Sequence, residues 1–89
     1  MTAVYTRHPE LRLTVLDEEG VVLHLGSRRY FSVNETGVVI LNALQEPQTL
    51  AQLIARLTEE YDVTDDVAES TVREFLGQCV DAELVRVEE

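Results

Sequence analysis

Lysine and tryptophan are absent from this sequence, and cysteine occurs once, as Cys79. A single cysteine excludes an internal disulfide and a cysteine-rich zinc site. The seven basic residues are all arginine and stand against seventeen acidic residues, which gives a formal net charge of −10. Because binding to nucleic acid and to anionic membranes draws on basic side chains, this balance argues against both as partners.

Long apolar runs are also missing. No stretch approaches the roughly 18 apolar residues of a membrane-spanning helix, and the first residues lack the apolar run of a secretory signal peptide. We therefore expect a cytoplasmic location. With 89 residues, 45% of them hydrophobic, the chain can build one compact core but not separate cofactor and substrate domains.

Strand-like alternation begins after a segment without periodicity. Residues 1–10 predict a flexible N-terminal segment, followed by a single domain over residues 11–87. Within that domain we expect three strands joined by short turns, with Gly20 supplying positive φ in the first turn. The residues expected on the buried faces of the first two strands are Leu11, Leu13, Val15, Val21, Leu23 and Leu25.

Helical periodicity replaces the alternation after the third strand, which covers residues 29–33. Asn34 and Thr64 are suitable N-caps, and Thr49 with Gln52 matches a capping box. Three helices follow from these signals. The sequence thus predicts an α+β fold, a small winged-helix-like domain with a three-stranded antiparallel β-meander followed by three α-helices, and the third strand is a sheet edge.

Residues capable of catalysis are few and scattered. Cys79 falls on the apolar stripe of the third helix, which favours a buried thiol over a nucleophile. His24 lies on the strand face opposite Leu23 and Leu25, so we expect it to be exposed or partly covered. The acidic residues between 59 and 69 do not match a calcium-binding loop. We therefore predict no enzyme activity, no catalytic residue, no metal site and no cofactor.

The third strand is the remaining candidate for function. Its body, Tyr30 to Val33, is uncharged and β-prone, and an edge of this kind can accept a foreign extended peptide. Alternatively, Phe31 and Val33 only point into the core and the edge is too short to matter. The residues alone leave both interpretations open.

The run Tyr-Phe-Ser-Val-Asn-Glu-Thr-Gly at 30–37 resembles the PqqD-like family, as do the segments 40–44, 49–54, 61–63 and 67–84. The Asn-Glu-Thr-Gly step from edge strand into helix is the most specific of these features. The resemblance implies a recognition element for ribosomally made, post-translationally modified peptides. It also implies that the leader segment of a precursor adds as an antiparallel strand to the third strand, in the cleft against the third helix. A separate modifying enzyme (a protease, cyclase or radical enzyme) would then act on the precursor, and a lasso-peptide pathway is one such setting.

The resemblance places the peptide contacts on the third strand, and a four-three-four spacing selects one row of the third helix as the cleft wall. In this view an arginine at the strand entry, Arg28 or Arg29, can pair with a leader carboxylate, and Glu74 with a leader base. The alternative, which the sequence favours, is that each is only a solvated charge at the rim of the cleft. The expected site residues are Arg28, Arg29, Tyr30, Phe31, Ser32, Val33, Val67, Thr71, Glu74 and Gln78.

Two other functions remain open at this stage. A winged-helix DNA-binding regulator would need a basic recognition helix, whereas the third helix is mainly acidic. A dimerisation or subunit module could use the same edge strand to form a homodimer. One local departure from the family also matters: where many members have a glycine after the third helix, this chain has Glu83, which must either avoid positive φ or accept a strained conformation.

Overall fold

A computed structural model describes residues 2–88 of the chain. It contains six strands and three helices within that range. In chain order they are β1 (Val4–Arg7), β2 (Leu11–Leu16), β3 (Glu19–His24), β4 (Arg29–Val33), α1 (Glu35–Ala43), β5 (Gln48–Thr49), α2 (Leu50–Glu60), α3 (Asp65–Asp81) and β6 (Val85–Glu88).

The strands form two antiparallel sheets. One has the order β2-β3-β4 and is the predicted meander, since its strands pair in sequence. The other has the order β5-β1-β6. Three helices follow the meander, so the α+β class is confirmed, while the comparison with winged-helix domains stays a prediction.

The N-terminal segment differs from the expectation of a flexible arm. Val4–Arg7 forms the central strand of the second sheet, between β5 and β6. Arg7 also reaches the helices, because its Nη1 donates a hydrogen bond to the Leu41 carbonyl at 3.3 Å. All four residues of β1 are half-buried, so the strand has no buried face that alternates with an exposed one. An alternating sequence pattern is therefore not expected for it.

The buried face of β3 is the opposite of the predicted one. Val22 and His24 point inwards and are buried, whereas Leu23 and Leu25 are exposed. The expectation that His24 is exposed or partly covered is therefore wrong: its relative exposure is 5%. Its Nδ1 accepts a hydrogen bond from the Ser27 N–H at 3.2 Å, and its ring stacks obliquely on His8 with 4.4 Å between centroids.

Three non-glycine residues, Asp17, Arg28 and Glu83, supply the left-handed backbone conformations at turns, with φ of 59°, 58° and 62°. The prediction of positive φ at Gly20 is wrong, because Gly20 lies within β3 and is buried there. A Cβ on Gly20 would lie 2.8 Å from a Val38 methyl, so this glycine is required by close packing. Of the two possibilities predicted for Glu83, the structure shows the strained conformation with positive φ.

The helix starts are those that the sequence predicts. Asn34 accepts from the Gly37 N–H at 2.9 Å, and Thr64 accepts from the Val67 N–H at 3.3 Å. Thr49 and Gln52 form the reciprocal capping box at the start of α2. These caps satisfy backbone donors that have no partner inside the helices.

The core lies between the inner face of the meander and the three helices. α1 packs against β3 and β4, α2 packs against α1 and α3, and α3 packs against β6. The buried hydrophobic residues of the main cluster are Leu11, Val22, Ile40, Leu41, Leu44, Leu53, Leu57, Ala68, Val72, Leu76, Cys79, Leu84 and Val85.

Candidate functional site

The outer edge of β4 presents unpaired main-chain groups. Within residues 2–88, β4 pairs with β3 alone. The Leu25 N–H donates to the Glu10 carbonyl at 3.0 Å, so the odd-numbered residues of β3 bond to β2 and the even-numbered ones bond to β4. Through the β3–β4 register, this leaves the N–H and C=O groups of Tyr30 and Ser32 pointing to the open edge.

A cleft of about 330 Å³ runs beside this edge, between β4 and the C-terminal half of α3. Phe31 and Val33 point into it because their side chains lie on the inner face of the sheet. Its lining is mainly apolar in character. The lining residues are Phe31, Ser32, Val33, Asn34, Phe75, Gln78, Cys79, Ala82 and Leu84.

A second cleft of about 310 Å³ continues the first one towards the start of α1. The two share Asn34, Phe75 and Gln78, so together they form one groove along α3. The second cleft is the more polar one. Its lining residues are Asn34, Thr36, Gly37, Thr71, Glu74, Phe75 and Gln78.

The strand-to-helix step fixes the geometry of this groove. Asn34 has extended backbone angles, φ −82° and ψ −179°, and its side chain caps α1. The chain therefore leaves β4 and enters α1 within one residue. Gly37, in the first turn of α1, then lies against the ring of Phe75 on α3. This contact places the aromatic ring between the two clefts.

Cys79 lines the first cleft but is not a suitable nucleophile. Cys79 is buried, and burial raises the pKa of its thiol to about 12. A cysteine nucleophile instead needs a lowered pKa, since the thiolate is the reactive form. The contribution of Cys79 to the groove is therefore apolar surface.

The structure brings six of the predicted site residues together in this groove. Three come from the strand and three from the helix: Phe31, Ser32, Val33, Thr71, Glu74 and Gln78.

The other four lie elsewhere. Tyr30 points to the outer face of the sheet beside Leu23, and is 75% exposed. Val67, at 52% exposure, lines neither cleft. Arg28 is in the turn before β4, while the Arg29 guanidinium lies 5.2 Å from the centroid of the Phe31 ring. The two arginines thus flank the strand entry, and the roles of all ten residues stay predictions.

Sequence reasoning missed Phe75, Cys79 and Leu84 as groove residues because it assigned them to the core or to the closing segment. They do contribute to the core, yet they also face the cleft. The available signal is that Phe75 lies directly beside the predicted wall residue Glu74. Where the apolar stripe of a helix borders a groove, some of its residues contact both the core and the groove.

Within the part of the chain that the structure describes, no set of three or more His, Cys, Asp or Glu side chains is grouped to hold a metal ion. None of the three helices has the length and apolar character that crossing a membrane requires. On α3, Asp65, Asp66 and Glu74 are exposed, and Arg73 is engaged by Glu69 at 2.8 Å. This acidic surface does not favour the DNA-binding alternative.

Comparisons with known proteins agree with this geometry. The family model described as coenzyme PQQ synthesis protein D (PqqD) matches residues 19–85. No curated protein sequence matches the chain. The solved structure "TbiB1 in Complex with the TbiA(beta) Leader Peptide" is similar, with a TM-score of 0.82 and 26% identity, covering 91% of this chain and 94% of that one. So is "Lasso peptide synthetase B1 complexed with the leader peptide", with a TM-score of 0.78 and 23% identity, covering 92% and 96%.

Proposed function

Because the chain belongs to the PqqD family, we propose that it is an adaptor that binds the leader segment of a ribosomally made precursor peptide and presents the precursor to a separate modifying enzyme. The similar protein TbiB1 was solved with a leader peptide, which supports this function. In this proposal the adaptor itself is not catalytic and acts in the cytoplasm, where the precursor is synthesised. A lasso-peptide pathway fits the likeness to lasso peptide synthetase B1.

One observation carries the proposal: an open sheet edge lies directly beside a groove. The main-chain groups of Tyr30 and Ser32 point outwards, and the side chains of Phe31 and Val33 form the neighbouring wall. A peptide that adds to such an edge obtains sequence-neutral affinity from backbone hydrogen bonds. Its alternate side chains then enter the groove, which supplies the selectivity.

The direction of β4 also sets the orientation of a bound peptide in the groove. An antiparallel leader strand would begin near Asn34 and end near Arg29, since β4 runs the other way. Its first residues would then meet the polar cleft with Thr71 and Glu74, and its later residues the apolar cleft with Phe31. We therefore expect polar or basic residues to precede an aliphatic residue in the bound segment.

A nuclear magnetic resonance titration tests the proposal. The probes are the leader of the short precursor encoded nearest to this chain's gene and the TbiA(beta) leader peptide. We expect backbone amide shifts at residues 29–33 together with residues 71–78. Shifts confined to residues outside β4 and α3, or none with either peptide, would contradict the proposal.

Ser32 provides the matched pair of variants. Ser32→Pro removes an N–H that points to the open edge and so leaves the β3–β4 hydrogen bonds in place. Ser32→Ala keeps the N–H. We expect about a tenfold loss of affinity for the proline variant and little change for the alanine variant, since one main-chain hydrogen bond contributes about 0.5–1.5 kcal/mol.

A further inference from the structure

The second sheet has an open edge of its own. Among residues 2–88, β6 pairs with β1 on one side and with no strand on the other. The His8 N–H donates to the Leu84 carbonyl at 2.9 Å, in register with the β1–β6 pairs. By the alternation of antiparallel ladders, the even-numbered residues of β6 bond to β1. The N–H and C=O groups of Val85 and Val87 therefore point away from the sheet.

The two residues whose main-chain groups point outwards differ in their exposure to solvent. Val85 is 2% exposed, whereas Val87 is 43% exposed. A cavity of about 540 Å³ adjoins this strand, and its walls include Val80 in the last turn of α3, Glu83 just after that helix, and both Val85 and Val87. A further strand thus has room beside β6, and because Val85 is almost fully buried, the accessible main-chain groups are those of Val87.

This restriction sets the register for a second copy of the chain. If two β6 edges meet antiparallel, a twofold axis passes between the two Val87 residues, because each can exchange both main-chain hydrogen bonds with the other. Arg86 then lies directly opposite Glu88 of the second copy, and Glu88 lies opposite the second copy's Arg86. Opposite charges in this position stabilise a strand pair.

We propose that β6 is a homodimerisation edge that joins two copies into one continuous six-stranded sheet, β5-β1-β6 followed by its twofold mate. Charged residues on an edge strand normally discourage pairing. Across a strand pair, however, like charges that face each other destabilise it, whereas opposite charges stabilise it. Here the two charges have opposite sign and flank the one accessible residue, so each finds its complement. The same operation on β4 would centre on Tyr30 or on Ser32. It would place Arg29 opposite Phe31 or Phe31 opposite Val33, and neither register pairs opposite charges within the strand.

This dimer leaves the groove between β4 and α3 free, since β4 belongs to the other sheet. It does not depend on the proposed leader binding. The choice of a second copy rather than a foreign strand rests on the self-complementary order of Arg86, Val87 and Glu88. A foreign strand would need no such order.

Sedimentation velocity of the full chain from about 1 µM to about 1 mM tests the inference. We expect a reversible monomer–dimer equilibrium in this range. Arg86→Glu alone and Glu88→Arg alone should each weaken dimerisation about tenfold, because each replaces two ion pairs per dimer by two like-charge contacts. The double variant, with both substitutions, should restore the dimer.

Proline variants locate the edge that is used. Val87→Pro removes the outward N–H without removing a β1–β6 hydrogen bond, and should abolish the dimer while circular dichroism shows an unchanged fold. Ser32→Pro, on β4, should leave it intact. A chain that stays monomeric throughout, a dimer that is insensitive to both charge reversals, or a dimer lost with Ser32→Pro but not with Val87→Pro would each overturn the proposal.

Discussion

Gly37 on α1 and Phe75 on α3 touch at a point where no side chain larger than hydrogen fits without movement. A Cβ on Gly37 would lie 2.9 Å from Phe75 Cε1 and 3.1 Å from Phe75 Cζ, and also 3.1 Å from Val33 Cβ. The glycine therefore allows the ring to lie deep between the two clefts. Three elements that form the groove, β4, α1 and α3, meet at this one contact.

Gly37→Ala is the first test of this relationship. The new methyl group must displace the Phe75 ring, because Val33 blocks the other direction. The displaced ring narrows the groove, so we expect leader affinity to fall about tenfold or more. The free energy of unfolding should fall by at most about 2 kcal/mol, since about 1–3 kcal/mol of overpacking is partly offset by about 1 kcal/mol of improved helix propensity. Urea denaturation and a peptide titration measure the two quantities.

Gly77→Ala is the matched control on the same helix as Phe75. A Cβ at this position would have no heavy atom within 4 Å. The same glycine-to-alanine change should therefore stabilise the protein by about 0.5–1 kcal/mol and leave peptide affinity unchanged. Equal loss of affinity in both variants would show that the Gly37 contact does not shape the groove.

A second prediction separates the residues that face the groove from one that does not. Gln78 lines both clefts, so Gln78→Ala should weaken leader binding by about threefold to tenfold through the loss of a polar contact. Val67→Ala should have no effect on affinity, because Val67 lines neither cleft. Isothermal titration calorimetry provides the comparison, and a larger effect at Val67 than at Gln78 would contradict this assignment.

A third prediction concerns the N-terminal strand. Deleting residues 1–7 removes the central strand of the second sheet, together with the hydrogen bond from Arg7 to the Leu41 carbonyl. We expect the free energy of unfolding to fall by about 2–4 kcal/mol, from lost apolar burial and unmade hydrogen bonds. Urea denaturation of the truncated and full chains measures this difference. Equal midpoints would mean that β1 does not contribute to stability.

The sequence predicts the meander well because short turns bring consecutive strands together, and this places β4 at an edge. It fails on the face of β3, where Val21, Val22 and Leu23 are all apolar and a period of two fits either face. Gly20 lies on the buried face, where its lack of a side chain leaves room for Val38. This contact joins β3 to α1, so the alternation of residues within the strand does not indicate it.

In the candidate groove, too, some residues can be predicted from the sequence and others depend on tertiary contacts. The family resemblance places the cleft against the third helix, and helix spacing then selects Thr71, Glu74 and Gln78, which do line the groove. Spacing also selects Val67, although the groove ends before this turn of α3. For Phe75 the sequence offers only its position beside Glu74. This neighbour does not indicate that the ring enters the groove, because the ring does so through the space that Gly37 leaves on another helix.

The last prediction uses Cys79 to test burial at the floor of the groove. Burial raises the pKa of its thiol from 9.0 to about 12, so between these values the unfolded chain releases the proton and the folded chain keeps it. The unfolded state then binds fewer protons, and stability falls as pH rises. By about pH 10 the loss should reach about 1.4 kcal/mol, since one pH unit beyond the ordinary pKa corresponds to 1.36 kcal/mol.

Cys79→Ala isolates this contribution from those of other groups that titrate at high pH. The variant should be less stable than the natural chain near neutral pH, because it leaves a small cavity in the core. It lacks the thiol, so the difference in the free energy of unfolding should narrow by about 1.4 kcal/mol between about pH 7 and about pH 10. Urea denaturation at each pH gives both curves. Two parallel curves over this range would mean that the thiol reaches solvent in the folded protein and that the groove floor is open at Cys79.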